Sequence, residues 1–372
     1  MHLLTVIGAR PQIIKAAAVS RAIGNDYSNK VSEHILHTGQ HYDTNMSQVF
    51  FDELGIPQPE YNLGVGSGLH GEQTAKMIAG IEEVLLSRPF DGIILYGDTN
   101  STLAGAVAAS KLHIPIFHIE AGLRSYNRIM PEEINRIVCD QLSTILFAPT
   151  QTAVDNLREE GFFAPHPTLH RKVINCGDVM YDNSLYYAQL AAQRCDIMQR
   201  LALQPEGYIL ATIHRDNNTD DPQRLEQILR ALVDIARKDN IPIILPLHPR
   251  TRNKLTAQHR ELLDSEPLIR LLDPFSFLEM TLMEQNALLV MTDSGGVQKE
   301  AFFFERPCII MRPETEWVEL VQHQAGIIAD ADYQRIVDAY TQLAHRHVSF
   351  PPLFGDGHAA EKILEEILTG NC

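Results

Sequence analysis

Short apolar runs rich in Val, Ile and Leu recur along this chain, each followed by a longer stretch whose apolar residues fall at helical spacing. Parallel strands buried on both faces read as continuous apolar runs, and the crossover helices joining them read as amphipathic segments. The alternation predicts repeated βα units and an α/β fold. In the first half the predicted strands are 3–7, 34–37, 92–96, 114–119 and 144–147. In the second half they are 173–175, 208–212, 241–247, 269–272, 287–291 and 308–311. A chain of 372 residues is too long for one ordinary core, so two doubly wound, Rossmann-like sheets are expected. Segment 161–171, with Pro165 and Pro167 and no periodicity, is the predicted boundary. It gives domains 1–168 and 169–356, with 357–372 as a terminal helix returning to the first domain.

In open α/β sheets ligands bind beyond the carboxyl ends of the strands, so the residues that follow each strand carry the functional signal. Those segments are Gly8-Ala9-Arg10-Pro11, Gly39-Gln40-His41, Gly97-Asp98-Thr99, Glu120-Ala121-Gly122, His214-Arg215, His248-Pro249-Arg250 and Asp293-Ser294-Gly295-Gly296. Two sheets presenting such edges to each other would enclose an interdomain cleft, a common setting for a small-molecule site.

Composition removes several alternatives. A formal charge of -16 gives no overall field to attract nucleic acid or a membrane, so an anionic ligand must be held locally. The opening apolar run is too short to span a bilayer and has no basic segment before it, so a cytoplasmic location is expected. Cys139, Cys176, Cys195, Cys308 and Cys372 form no CxxC pair and no Cys/His zinc spacing. Sixteen histidines contain no HExxH, so neither a metal nor a cofactor is expected. Gly66-Ser67-Gly68-Leu69-His70-Gly71 fits GxGxxG, but the preceding Asn62-Leu63-Gly64-Val65 is a poor buried strand, so the dinucleotide fingerprint lacks its context.

Two turns suit a phosphate. Ser294, Gly295 and Gly296 put small residues at a helix start, where free N–H groups and the helix dipole favour an anion; the alternative is an ordinary helix with Ser294 as N-cap. Arg10 and Lys15 flank the first strand-to-helix turn and could both face phosphate, with surface solvation as the alternative. Asp98, Glu120 and Glu132 stand after strands or loops of the first half, where each could instead be a helix cap or an arginine partner. His214, after an apolar strand, supplies a group suited to proton transfer near neutrality, and His248 is a weaker equivalent.

Taken together, Gly8-Ala9-Arg10-Pro11-Gln12, Tyr96-Gly97-Asp98-Thr99, His118-Ile119-Glu120-Ala121-Gly122-Leu123-Arg124, Pro131-Glu132-Glu133-Ile134-Asn135-Arg136, Ile213-His214-Arg215 and Thr292-Asp293-Ser294-Gly295-Gly296-Val297-Gln298-Lys299-Glu300 resemble the non-hydrolysing UDP-N-acetylglucosamine 2-epimerase family. The resemblance runs nearly end to end. It implies two Rossmann-like domains, as in GT-B glycosyltransferases, with UDP in the cleft. It also implies removal of the C2 proton while UDP leaves C1, an enzyme-bound 2-acetamidoglucal, and re-addition of UDP after protonation on the other face.

By motif position Asp98, Glu120, Glu132 and His214 match the family's catalytic groups. Arg10, Lys15, Arg124, Arg215, Phe277, Ser294, Gly295, Gly296, Glu300 and Arg312 match positions that bind UDP or substrate, with Glu300 accepting ribose hydroxyls. Gln40, His41 and His248 resemble part of an activator site for a second UDP-sugar, where Asp43 departs from the family's longer polar residue. A homodimer serving surface polysaccharide biosynthesis, such as O-antigen or other lipopolysaccharide, is implied in the same way.

Members acting on UDP-GlcNAc usually read Gly-Thr-Arg-Pro-Glu and His-Arg-Arg-Glu or His-Arg-Ala-Glu where this chain has Ala9, Gln12, Asp216 and Asn217. Segments 100–105, 299–304 and 315–320 look closer to the branch that epimerises UDP-2,3-diacetamido-2,3-dideoxyglucuronate. That sugar and UDP-GlcNAc are the two candidate substrates. A hydrolysing epimerase releasing free sugar, a GT-B glycosyltransferase needing an acceptor, and a purely regulatory UDP-sugar binder are the rival readings.

Overall fold

The structure is a computed structural model that describes residues 1–39, 55–165, 171–344 and 346–370. The chain divides into two compact units, one of residues 1–183 with 352–372 and one of residues 184–351.

The first unit holds a seven-stranded parallel sheet: β1 (His2–Ile7), β2 (Ser32–His37), β3 (Tyr61–Asn62), β4 (Gly92–Tyr96), β5 (Ile116–Ile119), β6 (Ile145–Ala148) and β7 (Lys172–Asn175), in the order β3-β2-β1-β4-β5-β6-β7. The chain winds outward from β1 to β3 and then returns to β4, so its topological switch point lies between β1 and β4, which run parallel with Val6 opposite Leu95. The second unit repeats the device with six strands: β8 (Ile209–Thr212), β9 (Ile243–Pro246), β10 (Ile269–Leu272), β11 (Leu289–Thr292), β12 (Cys308–Ile310) and β13 (Gly326–Ile328), in the order β10-β9-β8-β11-β12-β13. Its switch point lies between β8 and β11, where Thr212 pairs with Thr292.

Helices form where the sequence supplies caps and an apolar stripe. Around the first sheet they include α1 (Arg10–Ala22), α2 (His70–Ser87), α3 (Asn100–Lys111), α4 (Pro131–Leu142) and α5 (Gln151–Glu159). In the second unit α6 (Pro222–Asp239) begins at Asp221, whose side chain accepts the Gln223 and Arg224 N–H groups, and ends at Asn240 in the left-handed region. Between these ends Leu225, Ile228, Leu229, Leu232 and Ile235 are at most 1% exposed and form the core with β8 and β9. Further along lie α7 (Phe277–Gln285) and α8 (Gly295–Phe303), and in the first unit α9 (Ala359–Thr369), which packs on α1.

One expected strand moves. Residues 173–175, read as the opening of the second domain, belong to β7 and complete the first sheet by pairing with β6. Three residues cannot declare which sheet they join, and the division falls after Asn183 rather than at 168. Strands β3 and β13 are too short to register as apolar runs. The GxGxxG segment follows only the two-residue edge strand β3, so no central strand leads into it.

Candidate active site

The first switch point gathers a ring of charge. Gly97 follows β4 in the left-handed region, at φ +62°, and its missing Cβ would stand 3.0 Å from Glu120 Oε2 and 3.1 Å from Lys15 Nζ. Glu120 is itself left-handed at φ +69°, a conformation costing about 1 kcal/mol or more for a residue with a side chain. Its carboxylate pairs with Lys15, and both side chains are mostly buried. Asp98 pairs with Arg136 of α4, while Asn135 donates to the Asp98 carbonyl at 2.9 Å. Arg136 also reaches Glu133 at 3.0 Å, and burial works against its charge until Asp98, Glu133 and Glu120 together raise its pKa.

Glu132 and Glu133 divide their work. Glu132 is exposed in the first turn of α4. Glu133 is 1% exposed and accepts the Ser125 N–H and hydroxyl and the Tyr126 N–H at 2.9 to 3.0 Å, tying down the loop before the helix. Burial works to raise its pKa, but the Ser125 bonds and Arg136 outweigh that and hold the carboxyl below its usual range. Arg10 stands exposed at the first position of α1.

Gln12, singled out in the sequence as a departure from the UDP-GlcNAc pattern, organises the same turn. Its buried Oε1 accepts the Gly8 and Ala9 N–H groups at 2.9 and 3.2 Å, and its Nε2 donates to the Tyr96 carbonyl and Thr102 hydroxyl at 2.9 and 3.0 Å. An ionised glutamate there would have no donor for the Tyr96 carbonyl.

Arg124 requires a correction. Its side chain is 1% exposed, paired to Asp140 at 2.7 Å and held by both Glu160 oxygens at 2.6 and 2.7 Å. Burial opposes its charge, yet Glu160 and Asp140 raise its pKa above the ordinary value. The guanidinium expected to bind substrate is thus committed to an internal ion-pair cluster.

The second switch point is organised by Asp293, fully buried at the end of β11. Its carboxylate accepts the His214 N–H at 2.9 Å, the Arg215 N–H at 3.1 Å and the Asn218 side chain at 3.0 Å. It thereby fixes the turn that presents His214 and Arg215, both solvent-accessible. Desolvation lowers the His214 pKa, Asp293 opposes the shift and His248 reinforces it. His248 therefore lies in electrostatic reach of His214, and its Nδ1 accepts the Arg250 N–H at 3.3 Å at the head of a short helix.

Beside this turn α8 begins. Ser294 occupies the N-cap position without a side-chain capping bond, so its hydroxyl is not used as the capping alternative requires. A Cβ on Gly296 would be 3.9 Å from Ser294 Oγ and 4.0 Å from Glu300 Oε2, and one on Gly295 would collide with Glu316 and lie 3.6 Å from Arg312. Arg312 pairs with Glu316 at 3.0 Å, and Trp317 Nε1 donates to the Gly295 carbonyl at 2.9 Å. Ser294, Gly295, Gly296, Glu300 and Arg312 thus come together around one helix N-terminus suited to an anion. Phe277 heads α7, half-buried, its ring edge-on to Tyr187 with centroids 5.2 Å apart. Gln40 and His41 lie outside the described residues.

No helix among the described residues is long and apolar enough to cross a membrane, and no group of His, Cys, Asp and Glu among them could hold a metal ion. Comparison with known proteins adds the family. Residues 25–368 match the UDP-N-acetylglucosamine 2-epimerase family model. The chain is 50% identical to the UDP-2,3-diacetamido-2,3-dideoxy-D-glucuronate 2-epimerase of Pseudomonas aeruginosa over 98% of this chain and 99% of that one. It is 45% identical to a UDP-N-acetylglucosamine 2-epimerase homolog of Methanococcus maripaludis over the same shares. Among solved structures, the Methanocaldococcus jannaschii UDP-GlcNAc 2-epimerase in complex with UDP-GlcNAc and UDP superposes with a TM-score of 0.83 at 38% identity, covering 100% of both chains. Two Rossmann-like units of GT-B type and a family match along most of the sequence agree: the chain belongs to the UDP-N-acetylglucosamine 2-epimerase family.

Proposed function

We propose that this protein inverts C2 of a UDP-activated N-acetylated sugar without releasing free sugar, and that its substrate is UDP-2,3-diacetamido-2,3-dideoxyglucuronate. The observation that carries the substrate is the 50% identity to the Pseudomonas aeruginosa enzyme across 98% of this chain. UDP would be held through Ser294, Gly295, Gly296 and Arg312, with Glu300 accepting ribose hydroxyls and Arg10 and Arg215 reaching the diphosphate. Support for the first five comes from their convergence at the α8 N-terminus.

The chemistry must overcome a C2 hydrogen with no carbonyl beside it. In the proposed step a carboxylate takes the C2 proton, the C1–O bond breaks with its electron pair going to UDP, and a C1=C2 double bond forms. A group on the opposite face then protonates C2 while UDP re-adds at C1. Asp98, Glu120, Glu132 and His214 are the proposed acid–base groups. Asp98 and Glu120 are supported by their ion pairs with Arg136 and Lys15, which hold each carboxylate beside a cation. Cations and N–H donors around the departing diphosphate lower the barrier by stabilising the charge that develops there.

The finer biology is part of the proposal: a cytoplasmic homodimer making a precursor for surface polysaccharide, as the family resemblance suggests. The deciding experiment offers UDP-2,3-diacetamido-2,3-dideoxyglucuronate and UDP-GlcNAc separately and follows products by proton NMR. The expected result is an equilibrium of two UDP-sugars, reached faster with the uronate. Preferential turnover of UDP-GlcNAc would reject the substrate, and free sugar accumulating with UDP would reject the non-hydrolysing reaction.

A further inference from the structure

His118 lies in the middle of the first sheet, on β5, with no exposed surface. Its Nε2 is 2.8 Å from the Gly97 carbonyl and its Nδ1 is 2.7 Å from Asp140 Oδ1. A carbonyl oxygen only accepts. Asp140 also receives the Arg124 guanidinium at 2.7 Å and the Gly122 N–H at 3.2 Å, so it acts as an acceptor throughout. Both ring nitrogens of His118 must then donate, which only the imidazolium can do. A buried cation is expensive unless paired. Here His118 and Arg124 carry two positive charges, Asp140 and Glu160 two negative ones, and the cluster is neutral as a whole.

The two ends of this clamp reach the two turns that bear the carboxylates. Gly97 immediately precedes Asp98 and abuts the Glu120 and Lys15 side chains. Gly122 follows the left-handed Glu120 by two residues, and between them the Ala121 N–H is bound to the Phe147 carbonyl at 3.0 Å. Both turns hold left-handed backbone at the residues concerned, and such conformations persist only where surrounding bonds over-determine them.

We propose that His118, held as an imidazolium between the Gly97 carbonyl and Asp140, is a positioning residue that sets the relative placement of Asp98 and Glu120. The proposal rests on the reading of those two carboxylates as acid–base groups. Burial works against the charged ring, but Cys139 and Asp140 outweigh it and hold the His118 pKa well above the usual histidine range.

The test has two parts. Nitrogen NMR of the intact, histidine-labelled protein should find one ring with both nitrogens protonated and unchanged from about pH 6 to 9, and that signal should vanish in His118→Gln. A neutral His118 ring at pH 8 would overturn the proposal without any need for the variant to fold. In activity, His118→Gln supplies donors on one side only. It should lose about 10²-fold in kcat, the scale expected when catalytic groups shift by about 1 Å, while UDP affinity stays within about twofold. A purely structural role would lower Tm and leave the kcat of the folded enzyme intact, and that outcome overturns the proposal. Turnover lost in Asp98→Asn and Glu120→Gln but kept in folded His118→Gln refutes positioning alone. Turnover kept in both carboxylate variants refutes the acid–base reading and this proposal together.

Discussion

Asp98 and Glu120 each face a cation, and that pairing makes specific demands on variants. Asp98→Asn and Glu120→Gln keep shape but cannot take a proton, so C2 exchange should fall about 10²-fold or more while UDP affinity measured by calorimetry is retained. Equal turnover by both variants would contradict their assignment. A different residue adds to the acid sensitivity of the fold. His37 is 1% exposed, its Nδ1 accepts the Gly39 N–H at 3.0 Å, and burial pushes its pKa down to about 4. The unfolded chain binds a proton near pH 6.5 that the folded chain refuses, so this contribution is complete above pH 6.5. It is lost as pH falls toward about 4, by at most about 1.4 kcal/mol per unit. His37→Asn, which keeps an acceptor for Gly39, should show a shallower fall in urea midpoint between pH 7 and 5, and an unchanged slope would count against the account. Asp98, Glu120 and His214 stood out in the sequence as candidates because they lie within two residues of the ends of apolar strands. The buried roles of Gln12 and Asp140 were not legible, since a polar residue in an amphipathic helix looks the same whether it faces water or is buried. Arg124 was misread for the related reason that a loop arginine does not show whether acids surround it.

At the scale of elements, the head of α8 is where sequence and geometry agree most closely, because small residues after a strand limit what can be built there. Trp317, the chain's one tryptophan, donates to the Gly295 carbonyl and lies 4.2 Å from Lys299 Nζ by its ring centre. UDP binding at this helix start should therefore change tryptophan emission in a saturable way, and Arg312→Ala should shift the titration to higher UDP. Calorimetric binding without any emission change would place the nucleotide elsewhere. The Glu120 turn is equally constrained. Gly122 has φ +79°, and a Cβ there would be 2.5 Å from the Ala153 carbonyl and 2.8 Å from the Leu157 side chain. Gly122→Ala should destabilise the first unit by about 1–3 kcal/mol through backbone strain and overpacking, read as a lower urea midpoint. Strand 173–175 was visible as a strand yet assigned to the wrong sheet, since pairing partners lie outside its own residues.

At the scale of the whole molecule, the first unit depends on a late segment. Helix α9 buries Ile363, Leu364 and Ile367 completely in the first unit, and Asp182 accepts its Ala359 and Ala360 N–H groups at 3.1 and 2.8 Å. Each apolar side chain contributes about 1.5–3 kcal/mol, so truncation after residue 351 should leave the first unit protease-sensitive while the second keeps its core. A truncated chain with an intact first-unit protease pattern would contradict this. Two doubly wound sheets were legible from alternation alone because each βα unit repeats one pattern, and the terminal helix read as returning to the first domain is α9, which packs on α1. The central claim is C2 inversion on an intact UDP-sugar. Its most direct measurement is deuterium incorporation at C2 when the enzyme equilibrates UDP-2,3-diacetamido-2,3-dideoxyglucuronate in heavy water with no acceptor present. Deuterium at C2 of both epimers, with the UDP linkage intact, is the expected result; epimers that retain the original hydrogen, or no exchange at all, would contradict the account.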